Sequence, residues 1–118
     1  MAVNPKRGEV WNVRFDPTEG AEIQKTRPAV VVSSDAVRPL PIKLIAPITG
    51  WDERFANRVW LVRIDPDAAN GLTKPSAVDV LQLHGWDEKR FLDRRGRVSA
   101  VVMDEIAAAI AALVEYSG

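Results

Sequence analysis

Cysteine is absent from this 118-residue chain, and histidine occurs once, as His84. Without thiols there is no disulfide, thiolate zinc site or cysteine nucleophile. A lone imidazole also excludes a His-rich metal site and, within one protomer, an acid–base pair of histidines. No apolar run reaches the length of a membrane span, and no amino-terminal stretch has the basic, apolar, small-residue order of a secretion signal. A soluble, cytoplasmic protein with no membrane partner is the expectation. Charge of one sign is lacking too: Lys plus Arg and Asp plus Glu number 16 each. There is thus no global basic field of the kind that drives non-specific duplex binding, although a local basic cleft depends on where the charges fall.

What is present is a core. Apolar residues make up 47% of the chain, enough at this length for a single domain over residues 1–118 without covalent staples. Glu9 to Phe15 alternates, with Trp11, Val13 and Phe15 on one face, and reads as a strand. Turn chemistry at Asp16-Pro17-Thr18-Glu19-Gly20 opens a polar loop that lasts through Lys25, long enough to suggest a function. Pro28 to Ser33 is a β-branched run suited to a strand buried on both faces. Lys43 to Thr49 is a third strand, in which Pro47 demands a bend, a bulge or an edge. Arg58 to Ile64 and Ala77 to Leu83 are the fourth and fifth.

The pattern then turns helical. Asp87 to Asp93 has the composition of a short helix stopped at Gly96. Ser99 caps a final helix whose apolar stripe is Val102, Ile106, Ala109, Ile110 and Leu113. Short, proline-rich connections exclude an alternating βαβ order. The expected fold is therefore mainly β: a small curled antiparallel sheet with a carboxy-terminal α-helix.

Several ordered segments resemble the MazF/PemK family. These are Arg7-Gly8-Glu9-Val10-Trp11, Gly20-Ala21-Glu22, Thr26-Arg27-Pro28-Ala29-Val30-Val31-Val32, Ala46-Pro47-Ile48-Thr49-Gly50 and Gly71-Leu72-Thr73-Lys74-Pro75-Ser76-Ala77-Val78. Gln82, Asp87 and Arg90 continue the pattern. Each piece is weak alone; their order and spacing across nearly the whole chain make the likeness specific. The resemblance implies an SH3-like antiparallel β-barrel, a homodimer, and a type II toxin that cleaves single-stranded RNA with no metal or other cofactor. It also implies a cognate antitoxin whose disordered acidic segment covers the RNA groove. The gyrase poisons of the CcdB type share the barrel, so fold alone does not decide the activity.

Metal-free RNA cleavage requires a deprotonated 2′-hydroxyl, a stabilised phosphorane and a protonated leaving oxygen. The family assigns its catalytic arginine to the position of Arg27. A guanidinium at a strand end matches phosphate oxygens with its forked donors, and its very high pKa suits charge stabilisation rather than general-base work. The resemblance also marks Thr49, whose hydroxyl can donate to a phosphate oxygen or orient the 2′-hydroxyl. Glu22 is a secondary catalytic candidate, as base or as a residue positioning Arg27. Lys25, Trp51, Arg54, Phe55, Arg58, Gln82 and His84 are candidates for RNA binding, since single strands are held by cations and stacking surfaces. Trp51 and Phe55 serve equally well as packing groups on the sheet or across a dimer. One departure stands out: Leu81 replaces an acidic residue that many relatives carry before the position of Gln82, which leaves sequence preference open. A toxin acting on a protein such as gyrase is the alternative, but the ending Leu113-Val-Glu-Tyr-Ser-Gly118 lacks the tryptophan such poisons carry there. An inactive interaction module is the other.

Overall fold

The computed structural model describes residues 3–15, 26–37 and 40–118. Its strands are β1 (Glu9–Arg14), β2 (Thr26–Val31), β3 (Ile42–Gly50), β4 (Leu61–Ile64), β5 (Ser76–Asp79), β6 (His84–Asp87) and β7 (Phe91–Arg97), followed by helix α1 (Ala100–Leu113). All pairings are antiparallel, in the order β4-β5-β3-β2-β1-β7, with β6 also on β3. The mainly β fold with a terminal helix is as expected. The barrel is not closed: among the described residues β4 and β7 end the path without pairing to each other.

Alternation along the central strands feeds two cores. Val10, Val30, Ala46, Ile48, Ile64 and Val78 form one, covered by Met103, Ile106 and Ala109 of α1. Trp11, Val13, Ala29, Val31, Ile45 and Phe91 form the other. β2 contributes to both, which is why its run is continuously β-branched or small rather than alternating. The helix begins as read from the sequence: the Ser99 hydroxyl accepts a hydrogen bond from the Val102 amide at 3.2 Å, and Val102, Ile110 and Leu113 flank its buried stripe.

Pro47 is accommodated by a change of partner. On one side of β3, residues 42–45 pair with β6 and residues 48–50 with β5. The missing proline amide falls in the gap between these ladders, so no sheet hydrogen bond is forfeited there.

Three boundaries differ from expectation. The stretch from Asp87 to Asp93 is not a helix. Only Glu88–Arg90 makes a 3-10 turn, capped by the Asp87 carboxylate, which accepts from the Lys89 amide at 2.8 Å. The chain then becomes β7, because Phe91 buries edge-on against Trp11 with ring centroids 5.8 Å apart and β1 offers an open ladder. Tertiary pairing overrides a weak helical propensity. β4 starts at Leu61 rather than Arg58, and the fifth strand stops at Asp79, where Val80–Gln82 forms a second 3-10 turn.

Gly96 is likewise no helix stop. A Cβ there would lie 2.2 Å from the Ala69 carbonyl oxygen, and one on Gly71, whose φ is +72°, would lie 2.3 Å from that of Arg95. The two glycines let the loop before β5 lie backbone-to-backbone on β7. Buried Asn70 secures that loop: its amide donates to Asp65 O, and its side-chain oxygen accepts from the Asp67 and Leu72 amides.

Candidate functional site

Arg27 stands on β2 opposite Val13 of β1, with its side chain exposed. It forms part of the wall of two depressions. One, of about 280 Å³, is lined by Arg27, Thr49, Gly50, Thr73, Lys74, Ser76 and Arg95, among others. The other, of about 600 Å³, is bounded by Phe15, Arg27, Pro47, Leu81, Gln82, Leu83, His84 and Trp86. The two leading catalytic candidates, Arg27 and Thr49, therefore share the smaller depression, while Gln82 and His84 share the larger one with Arg27.

The smaller depression is cationic. Thr49 reaches it from the end of β3, paired with Ala77 of β5. Arg95 reaches it through a bulge in β7. Val10 pairs with Gly96 and Trp11 with Arg94, which leaves Arg95 as the extra residue. Such an insertion breaks the alternation and re-aims a side chain. Arg95 then donates to the Gly71 carbonyl at 2.6 Å. Lys74 precedes β5, with its ammonium 3.4 Å from where a Cβ of Gly50 would stand. Among the described residues neither Arg27, Lys74 nor Arg95 has a carboxylate within ion-pair reach.

The larger depression has an aromatic wall. Phe15 meets Trp86 edge-on at 5.9 Å, His84 tilts against Trp86 at 4.5 Å, and the Arg90 guanidinium lies 4.3 Å above the Trp86 ring. The Gln82 amide group donates to Asp79 at 3.0 Å, and that carboxylate also accepts from the Leu81 amide. A carboxylate only accepts, so this contact fixes the amide orientation of Gln82 and leaves its oxygen for another donor. Leu81 is 63% exposed beside it.

The loop after Thr49 does not join these depressions. Trp51 and Phe55 meet edge-on at 5.8 Å, Arg58 lies over Phe55 and Arg63 over Trp51. Arg54 pairs with Asp52 at 2.8 Å. Its hydrogen bond holds the Asp52 carboxyl down at about 2, and the contact raises the arginine in turn. Trp51, Phe55, Arg58 and Arg63 thus form one stacked cluster, with Arg54 held beside it by Asp52. Glu22 and Lys25 lie outside the described residues. Trp86, Lys74 and Arg95 escaped the reading of the sequence. Lys74 lay within a quoted motif, whereas Arg95 was hidden by the mistaken helix. Among the described residues no group of three or more acidic or histidine side chains is placed to hold a metal ion.

The profile of PemK-like, MazF-like toxins of type II toxin–antitoxin systems matches residues 6–114. Endoribonuclease MazF9 of Mycobacterium tuberculosis is 30% identical, over 89% of this chain and 92% of its own. Endoribonuclease toxin ChpB of Escherichia coli is 32% identical, over 93% and 94%. The MazF fold of a MazE–MazF crystal structure from Deinococcus radiodurans superimposes with a TM-score of 0.78 at 21% identity, covering 98% of this chain and 99% of that one. A profile match over almost the whole length, curated relatives matched nearly end to end and the shared architecture agree: this chain belongs to the PemK/MazF family of type II toxin–antitoxin toxins.

Proposed function

We propose that this protein is an endoribonuclease toxin that cleaves single-stranded RNA by attack of the substrate's own 2′-oxygen. The observation that carries the reading is the position of Arg27, which walls both a cationic depression containing Thr49 and an aromatic depression containing Trp86. A phosphodiester in the first and a base in the second can be held by one strand end.

The 2′-hydroxyl loses its proton, its oxygen bonds to phosphorus, and the bond from phosphorus to the 5′-oxygen breaks. The products are a 2′,3′-cyclic phosphate, which can open to a 3′-phosphate, and a 5′-hydroxyl once the leaving oxygen is protonated. The Arg27 guanidinium faces the charge that accumulates on the phosphorane oxygens. The Thr49 hydroxyl donates to one of those oxygens or orients the 2′-hydroxyl. Glu22 is the carboxylate assigned to the base or to positioning Arg27. His84 and Gln82 contact the base stacked on the aromatic wall; Lys25 adds positive charge. Trp51, Arg54, Phe55 and Arg58 act as an outlying surface for the strand beyond. The protein works as a cytoplasmic homodimer, and a cognate antitoxin inhibits it by laying an acidic segment along the groove; the negative segment and the cationic depression are complementary.

The test is incubation of the purified protein with long single-stranded RNA in EDTA, beside Arg27→Ala. Cleavage giving 5′-hydroxyl ends, lost in Arg27→Ala, is expected. No cleavage of varied RNAs by the intact protein defeats the nuclease reading, and cleavage unchanged in Arg27→Ala defeats the mechanism.

A further inference from the structure

We propose that Lys74 and Arg95 form a second phosphate subsite, which takes the phosphodiester adjacent to the scissile one. The inference rests on the nuclease reading and deepens it.

Arg54, Arg63 and Arg94 are paired with carboxylates, and Arg58 and Arg90 lie over aromatic rings. Arg7 and Arg97 donate to main-chain carbonyls elsewhere. Arg27, Lys74 and Arg95 also depart from this pattern. They converge on one depression of about 280 Å³, although the chain as a whole carries no net charge. Among the described residues these three cations have no carboxylate partner, and like charges brought together favour an anion between them. The mechanism proposed above places only Arg27 and Thr49 at the scissile phosphate oxygens. The other two cations come from different elements and are separately fixed.

Arg95 is held by its backbone. The bulge directs its side chain, the Gly71 carbonyl occupies one of its five N–H donors, and close packing at Gly71 and Gly96 immobilises the strand beneath it. The remaining donors keep the fork that matches phosphate oxygens. Lys74 is anchored at its main chain, whose carbonyl accepts from the Ser76 hydroxyl at 2.9 Å. Its ammonium lies beside Gly50, next in sequence to Thr49. A phosphate between Lys74 and Arg95 is thus a neighbour of one at Arg27 and Thr49, as consecutive phosphates of a single strand are. Base identity plays no part in these contacts, so they set register and affinity.

The experiment uses the full chain and short RNA oligonucleotides with one cleavable linkage, in which the phosphodiester on either side is replaced by a neutral methylphosphonate. For the intact protein, neutralising one flank is expected to raise KM about tenfold with little change in kcat, as loss of a charge-assisted contact predicts. In Lys74→Ala and Arg95→Gln the charged substrate already shows that higher KM, and neutralisation adds little. The slope of log affinity against log salt falls by about 0.7 per lost phosphate contact in the same variants, a readout that a purely structural role for Arg95 leaves unmoved. Lys74→Ala guards against misfolding, since Lys74 is exposed. Cleavage indifferent to both flanks overturns the subsite, as does an equal flank effect in variants and parent. Absence of any cleavage instead defeats the nuclease reading itself, and the subsite falls with it.

Discussion

Gly96→Ala tests the joint between β7 and the loop before β5 with a single methyl group. No positive φ attaches to Gly96, so the substitution isolates close approach from backbone strain. The new Cβ would sit 2.2 Å from Ala69 O and 2.7 Å from Asn70 C, whereas non-bonded atoms settle near ~3.5 Å. Both neighbours are backbone, so no side-chain rotation relieves the clash, and the surfaces must part by roughly 1 Å. Overpacking of this kind costs about 1–3 kcal/mol. Parting also stretches the hydrogen bond from the Arg97 amide to Ala69 O, now 2.9 Å, worth about 1 kcal/mol. A loss of about 2–4 kcal/mol is expected. Urea unfolding followed by tryptophan fluorescence, at matched protein concentration because association shifts apparent stability, gives the difference from the midpoint and slope. A change below about 0.5 kcal/mol, within the range of a neutral surface substitution, refutes the reasoning.

Glu9→Gln should flatten stability against pH in the acid range. Burial raises the Glu9 carboxyl, but hydrogen bonds from the Trp11 indole, the Lys6 amide and Arg94 outweigh it and hold the group below its ordinary 4.5. The unfolded chain then binds the proton more tightly, so the stabilisation is full above pH 4.5 and fades as pH falls through the folded value. Parallel acid titrations of parent and variant by circular dichroism would contradict this if they superimposed. Ser99→Ala, by removing the cap on α1, should cost about 1 kcal/mol in urea unfolding; an unchanged midpoint would dismiss the cap. Thr49→Val keeps the branched shape without the hydroxyl and should slow RNA cleavage at least about tenfold, the scale of one lost charge-assisted hydrogen bond, while Thr49→Ser retains most of the rate. Equal rates for Val and Ser would remove the hydroxyl from the mechanism.

Much of the fold was legible because two periodicities carry it. Alternation at Trp11 and Val13, the continuous run of β2 and the stripe through Ile106 each reflect how the segment meets the core. Pro47 announced an interruption, though not that two different strands would flank it. The failure at 87–93 is equally physical. Asp87-Glu-Lys-Arg has helical composition, but composition is silent about an unpaired edge on β1 many residues away. Arg27 and Thr49 could be marked because they sit inside ordered motifs. Arg95 could not, since its side chain points where it does only through a mismatch in length between two strands. Nor could the stacking of Trp51 on Phe55, between Arg63 and Arg58, be foreseen, because a loop's fold is decided by contacts that lack a period.

The mismatch in β7 has a counterpart. Between Val13 and Val10 the first strand advances three residues, while its partner advances five from Phe91 to Gly96. Two extra residues are therefore absorbed, Arg95 at one bulge and Leu92 at the other. Each bulge leaves its extra residue unpaired and returns the next one to register, Asp93 to Asn12 beyond Leu92 and Gly96 to Val10 beyond Arg95. Phe91 can thus stay in the core beside Val13, and Gly96 against the loop, while Arg95 between them is displaced. Loss of Arg95 alone should therefore leave the rest of the ladder in place. It closes one bulge, keeps Phe91 beside Val13 and Gly96 beside Val10, and removes one cation from the smaller depression. Length in this strand is elastic at two points, while the pairing between them is fixed.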